Sequence, residues 1–210
     1  MLQRVFVDSN VLVSRTTRDW LFLLRDEIKG MYQVHSTFDV LVEVARAWRR
    51  LRPKDDGSAA SRLFEHLKSN LDELLDDFDC QIDFDGADPD DRHVHAAAVA
   101  ANAHILLTSN ERDFGNPDLL PYEIQNPDDF FCLVDDGAPD AVRAVALQQV
   151  KYWRSQSAAG KSSKTLVDAL IDAGCPRFAE RVQSHVQQLA GPSVRKAPDQ
   201  SMRGRPSRSR

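Results

Sequence analysis

The sequence predicts an α/β protein: a short parallel sheet covered by helices on both faces, in three α/β/α layers. Three observations carry this. Two brief apolar runs, residues 4–7 and 105–107, stop at similar polar triplets, Asp8-Ser9-Asn10 and Thr108-Ser109-Asn110. Stretches with apolar residues at helical spacing lie between such runs, and strands that alternate with helices are joined by crossovers that make them parallel and bury both faces. Finally, 42% of the 210 residues are hydrophobic, enough to supply a core for a domain of this size.

The elements follow in order. Residues 4–7 read as a buried strand. Trp20, Leu21, Leu23, Leu24 and Ile28 share one face of a helix; Thr16-x-x-Asp19 fits a capping box at its start, and Gly30 stops it. Residues 33–35 suit a short strand. Ser36-x-x-Asp39 fits a second capping box, and Phe38, Val40, Leu41, Val44, Ala45, Trp48 and Leu51 supply the apolar face of a helix that Pro53 ends. After a loop at 54–58, Leu63, Phe64, Leu67, Leu71, Leu74 and Leu75 mark another helix. Residues 80–84 alternate apolar and polar side chains, a strand pattern. Asp88 fits the N-cap and Pro89 the first turn of a helix that runs through residues 96–103. Strands at 105–107 and near 122–125 follow. Beyond Ala138 the pattern is helical only, with Gly174 and Pro176 separating the last two helices. The chain therefore divides into a sheet domain at 1–135, a helical extension at 136–190, and a Pro-, Ser- and Arg-rich tail at 191–210 that is expected to be disordered.

Composition excludes several classes. The longest mostly apolar stretch, residues 96–107, is broken by Asn102 and His104 and falls short of the ~20 residues a membrane span needs. No charged-then-apolar segment precedes the first strand, so no secretory leader is expected. Cys80, Cys132 and Cys175 are odd in number and far apart, which excludes a disulfide framework and a paired zinc motif. A cytoplasmic protein with no membrane partner is expected. The net charge is −5, and the tail opposes six basic groups to Asp199 alone, so the body is more acidic still. Such a body does not suit a nucleic-acid coat protein, but it suits an enzyme that clusters carboxylates around metal ions.

Four acids stand out by position. Asp8 follows the first strand, and in parallel sheets ligands bind outside the carboxyl ends of strands. Glu43 lies in the helix that opens near Ser36. Asp91 sits in the first turn of the helix that opens at Asp88. Asp113 follows the strand at 105–107. Carboxylates from separate segments can hold Mg²⁺, whose hard ligands are oxygens, and such a site promotes in-line displacement at phosphorus. Plainer roles also fit: Asp91 and Asp113 as third residues of capping boxes, Glu43 as an i+3 partner of Arg46. Arg46 and Arg50 share a helix face with Glu43, while Arg92 and Arg112 adjoin the other acids; all four could track the phosphates of a bound nucleic acid or form a solvated surface. His93 and His95, two apart on one helix, point different ways and do not suit a metal pair.

The joint pattern resembles a known family. Val5-Phe6-Val7-Asp8-Ser9-Asn10-Val11-Leu12 is similar to the opening motif of PIN-domain ribonucleases. Leu41-Val42-Glu43-Val44 resembles their second acidic motif, and Asp88-Pro89-Asp90-Asp91-Arg92-His93 before an Ala-rich run resembles the third. Leu106-Leu107-Thr108-Ser109-Asn110-Glu111-Arg112-Asp113-Phe114 resembles the fourth, and Asn126-Pro127-Asp128-Asp129-Phe130 suits the end of the domain. The resemblance implies a PIN-like fold and a VapC-like toxin, a Mg²⁺- or Mn²⁺-dependent endoribonuclease whose partners are its RNA substrate, a cognate antitoxin and a second copy of itself. It implies that Asp8, Glu43, Asp91 and Asp113 bind metal and act in catalysis, with Ser9, Thr108 and Asn110 in support. Two departures leave alternatives open. Asn110 stands where many relatives carry Asp, so either Asn110 or Asp113 completes the site; Asp90 adjoins Asp91, which fits the third motif better. Rival readings are a PIN-like fold that binds RNA or a partner without cutting, a housekeeping RNA-processing nuclease, and a haloacid-dehalogenase-like phosphatase. The last normally carries a second Asp two residues after the first, where this chain has Asn10.

Overall fold

The central strand β1 (Gln3–Val7) pairs in parallel with β2 (Tyr32–Thr37) on one side and β4 (Ile105–Leu107) on the other. The edges are β3 (Glu73–Leu75) and β5 (Glu123–Gln125), giving the all-parallel order β3-β2-β1-β4-β5. Register sets Val5 beside Val34 and Ile105, and Phe6 beside Leu106. Val5, Phe6 and Val7 are all fully buried, so both faces of β1 are covered, as a three-layer α/β/α arrangement requires. The structure, a computed structural model, describes residues 2–160 and 163–189; the expected tail at 191–210 lies outside them.

Helices α1 (Ser9–Val13) and α2 (Arg15–Glu27) connect β1 to β2, and α3 (Phe38–Leu51) and α4 (Gly57–Asn70) connect β2 to β3. The chain then crosses to the other side of β1 through α5 (Arg92–Ala100). The strand order therefore reverses between β1 and β4, which opens a crevice at their carboxyl ends. Asp8 ends β1 at that crevice, and Thr108 ends β4.

Five local expectations give way to the structure. The N-cap of α2 is Ser14, which accepts from the Thr17 amide; Asp19 instead faces Arg15 at i+4. The N-cap of α3 is Thr37, because Ser36 lies in β2 and donates its hydroxyl to the Val7 carbonyl. Leu74 and Leu75 belong to β3 rather than to a helix, since α4 stops at Asn70 and the chain docks beside β2. Residues 80–84 form no strand. Their polar groups engage side chains: the Gln81 amide donates to Asp79, and the Ile82 carbonyl accepts from Arg92. The Asp88 helix begins with the 3₁₀ turn Pro89–Asp91, and α5 ends at Ala100.

Helices α6 (Pro127–Gly137), α7 (Pro139–Ala158), α8 (Leu166–Asp172) and α9 (Pro176–Leu189) follow the last strand. Val142, Val145, Leu170, Phe178 and Val182 join the same hydrophobic cluster as β1 and α2. The Phe178 ring meets Trp20 edge-on, with centroids 4.8 Å apart. Charge fixes α9 against α6. Buried Asp128 accepts from the backbone amides of Phe178 (2.8 Å) and Arg177 (3.2 Å), so a side chain of α6 satisfies the first turn of α9. Two turns further along α6, Asp135 accepts from Arg181 (3.2 Å) and lies 2.7 Å from the His185 ring. No helix among the described residues is long and apolar enough to cross a membrane.

The Asp128 cap generates a test. Asp128→Ala leaves two amides at a buried helix start unsatisfied, and this should lower unfolding stability by about 1–3 kcal/mol. Asp128→Asn, which retains an acceptor, should lose less. Denaturant unfolding followed by circular dichroism reads the difference, and equal loss in both variants would contradict the cap.

Candidate active site

Asp8 is 3% exposed, with extended backbone between β1 and α1. Its Oδ1 accepts from the Ser9 amide at 2.5 Å. Its Oδ2 accepts from the Thr108 hydroxyl at 2.7 Å and from the Asn10 side-chain amide at 2.6 Å. Asn10 also donates to Thr108 Oγ1, and its own Oδ1 accepts from the Ser109 amide (both 3.0 Å). These bonds tie the end of β1 to the end of β4. Burial pushes the Asp8 carboxyl above its ordinary range; the hydrogen bonds from Thr108 and Ser9 and the charge of His93 act in the opposite direction.

Asp91 closes the 3₁₀ turn before α5 and faces the same crevice, whereas Asp90 is exposed. The Asp91 carboxyl is pushed up to about 7, first by burial, then by the negative charges of Asp8, Asp88, Asp113 and Glu43. Its Oδ2 is buried with no hydrogen-bond partner. The four acids singled out from the sequence therefore surround one crevice, in which Asp8 is the most buried. Glu43 reaches it from the second turn of α3. Asp113 reaches it from the 3₁₀ turn Glu111–Phe114.

Loop 84–88 sets the position of that turn. The Ala87 amide donates to the Asp113 carbonyl at 2.9 Å. Gly86 packs so closely that a Cβ there would run into the Asp113 carbonyl and the Phe84 ring. Phe84 in turn stacks near His95 and Phe114, with centroids 5.3 and 6.2 Å away. The buried His95 has its Nδ1 2.6 Å from the Tyr122 hydroxyl, and the ring also hydrogen-bonds to the Asp83 backbone.

The supporting residues divide. Thr108 and Ser9 contact Asp8 directly, whereas Asn110 takes part through its backbone amide, which donates to Thr108 Oγ1 at 3.1 Å. Arg46 and Arg50 are exposed and line an open groove with Glu43 and Ser9. Arg92 turns to the Ile82 carbonyl and lies over the Phe84 ring at 5.8 Å, so it braces the loop; Arg112 is exposed. Two residues escaped the sequence reading as site members. Asn10, two after Asp8, is one; its signal was an amide at the start of a helix beside a strand-end acid. The other is His93. Its Nδ1 lies 2.7 Å from the Asp90 carbonyl and its Nε2 3.3 Å from Glu43 Oε1. A second, larger groove runs along β5 beside Tyr122 and Leu133 and holds none of the four acids.

The donor set is all oxygen, as Mg²⁺ or Mn²⁺ prefers. The orphaned Asp91 oxygen and the mutual repulsion of the acids are what a divalent cation would relieve. Among the described residues no three such groups already stand at ligand distances from one point, so a cation would draw the carboxylates closer together.

A PIN-domain family profile matches residues 4–112. Over 95 residues the chain is 36% identical to the Mycobacterium tuberculosis protein described as "Putative ribonuclease VapC50". That alignment covers 44% of this chain and 54% of the relative, so the chain spans about half the length of the curated relative it matches. No solved structure gives a significant match.

The His95 clamp carries a pH signature. Burial holds His95 below its ordinary pKa, against its hydrogen bond to the Asp83 backbone and together with the charge of Arg92. Below about pH 6.5 the unfolded chain takes up a proton that the native ring resists, so this contribution lowers stability toward acid. His95→Gln should therefore flatten the fall in melting temperature between pH 7.5 and pH 5.5. An undiminished fall would show that the ring is not held neutral.

Proposed function

From membership of the PIN-domain family, to which this chain belongs, we propose that it is a metal-dependent endoribonuclease that hydrolyses RNA phosphodiesters. The observation that carries this reading is the confinement of Asp91 among Asp8, Glu43, Asp113 and Asp88 at the reversal of strand order. Asp8, Glu43, Asp91 and Asp113 would hold Mg²⁺ or Mn²⁺. When bound, the cation supplies Lewis-acid polarisation of the phosphodiester and lowers the pKa of the attacking water.

The chain's own groups prepare that chemistry. Thr108 and Asn10 fix Asp8 Oδ2 so that the carboxylate cannot rotate away from the crevice. Ser9 holds the other oxygen from the helix start. His93, anchored through Nδ1 at the Asp90 carbonyl, keeps Nε2 against Glu43 and limits where that long side chain can go. Arg46 and Arg50 offer positive charge to phosphates that the acids alone would repel. In this reading residues 1–135 are the nuclease body and 136–190 a helical extension that braces it. The similarity to VapC50 supports a role as the toxin of a two-component pair, acting in the cytoplasm as a homodimer, its crevice covered by a small antitoxin.

Asp8→Asn keeps an acceptor for Thr108 but removes a buried charge. Cleavage of RNA by this variant should fall to background while its melting temperature stays equal or rises. EDTA should abolish wild-type cleavage, and added Mg²⁺ or Mn²⁺ should restore it. Full activity of Asp8→Asn, or activity indifferent to EDTA, would overturn the assignment.

A further inference from the structure

The groove beside Glu43 has a second feature that the cleavage chemistry does not use. Phe38, the first residue of α3, is 55% exposed. Among the described residues it is the only strongly exposed large hydrophobic side chain that is aromatic; the others are leucines and an isoleucine. Isolated exposed apolar residues are ordinary on protein surfaces. This one is not isolated. Its ring meets Phe64 of α4 edge-on, with centroids 5.8 Å apart and planes at 72°, and both rings line the groove that contains Ser9, Glu43, Arg46 and Arg50. In an edge-to-face pair of this kind Phe64 can cover at most one face of Phe38, so it braces the ring and leaves a face uncovered by it for a planar ligand.

The charges alongside narrow the choice of ligand. Arg49 is engaged with the Asp55 carbonyl, and Arg52 stands near Asp55. Arg46 and Arg50, by contrast, face no carboxylate within ion-pair distance among the described residues. They lie one helical turn apart, about 6 Å along α3, and present planar forks suited to phosphate. A flat apolar ring beside two unneutralised guanidiniums complements a nucleotide strand, in which a planar base is joined to a chain of anionic phosphates. A purely apolar protein segment would leave those guanidiniums unmatched.

We infer that Phe38, braced by Phe64, is a stacking platform for one nucleobase of the RNA whose phosphates run along Arg46 and Arg50 toward the acids. The inference rests on the ribonuclease reading and adds to it a residue that positions the substrate. Stacking is tolerant of base identity, so the platform fixes where the strand lies rather than which base it carries. The base it takes must be free of its helical neighbours.

The test uses the full-length protein and labelled single-stranded oligoribonucleotides. Binding is measured by fluorescence anisotropy in the Asp8→Asn background, and turnover in the wild-type background. Phe38→Ala should weaken binding roughly 5- to 150-fold, the range seen when a stacked aromatic is truncated. KM should rise with it while kcat changes less than about twofold. Phe38→Trp should restore affinity, and Phe38→Leu, apolar but without a π-face, should not. Moving a single abasic nucleotide along the strand should reveal one position that costs the Phe38 protein affinity and costs Phe38→Ala nothing further. Phe64→Ala, which removes only the brace, should give a smaller loss in the same direction.

Wild-type-like binding and KM in Phe38→Ala would overturn the platform and leave the aromatic pair to a protein partner. Equal affinity in Phe38→Leu, or a loss confined to kcat, would overturn it as well. Wild-type protein that neither binds nor cuts RNA would sink the ribonuclease reading and the platform with it. RNA bound through Phe38 but never cut would sink the nuclease reading alone.

Discussion

The hydrogen bond from the Thr108 hydroxyl to the buried carboxylate of Asp8 joins the two strands between which the strand order reverses. β1 and β4 are neighbours in the sheet but about 100 residues apart in sequence, and their pairing ends at this bond. A carboxylate withdrawn from water is costly unless polar groups surround it. Here three donors converge on Asp8, from Ser9, Asn10 and Thr108, and these same donors fix its direction. Asp91 and Glu43 therefore approach a carboxylate whose direction is already set. Loop 84–88 adds the last constraint by seating Asp113 against Gly86 and Ala87.

The acids at this crevice oppose the stability of the fold, and the C-terminal helices supply part of what offsets them. Burial first, and then the like charges of Asp8, Asp88, Asp113 and Glu43, push the Asp91 carboxyl up to about 7. On α6 and α9 the arrangement is reversed. Asp128, Asp129, Asp135 and Asp136 meet Arg177, Arg181 and His185, and Phe178 inserts against Trp20 and Phe131. Exposed ion pairs contribute little each, so the weight of this interface rests on Phe178 and on the buried Asp128 cap. Trp20 belongs to α2, which leaves α1 and hence Asp8, so packing of α9 bears on the helix that follows the site.

Much of this was legible in the sequence, for physical reasons that also explain the rest. β1, β4 and the Asp88-Pro89 start could be read because short apolar runs and cap residues are local signals. The acids could be singled out because each stands where an element starts or ends. What failed was competition between near-equivalent local signals. Ser36 and Thr37 both suit an N-cap, and only the pairing of β2 with β1 sends Ser36 to the Val7 carbonyl and leaves Thr37 the cap. Leu74 and Leu75 continue a helical spacing, yet an open sheet edge at β2 draws them into a strand. The alternation at 80–84 suggested a strand, but the Ile82 carbonyl is taken by a guanidinium and the Gln81 amide by a carboxylate. Asn10 and His93 were not recognised, because much of each role comes from residues remote in sequence: Thr108 for one, Glu43 for the other.

On the proposed reading, the same electrostatics couple substrate binding to the cation. A body more acidic than the chain's net charge of −5 repels a phosphate backbone, and most strongly at the crevice. Arg46 and Arg50 lie on the same helix as Glu43, so they attract phosphate within a turn or two of the charges that repel it. Screening by salt weakens the exposed arginines more than the enclosed acids. A divalent cation among the carboxylates would reverse the local sign where the arginines cannot reach. Cation and RNA should then each raise the affinity of the site for the other, because coupling between two ligands is reciprocal. The open face of Phe38 contributes the uncharged share of this recognition, which salt and cation leave largely untouched. A strand held there stays beside the crevice whether or not the cation has arrived.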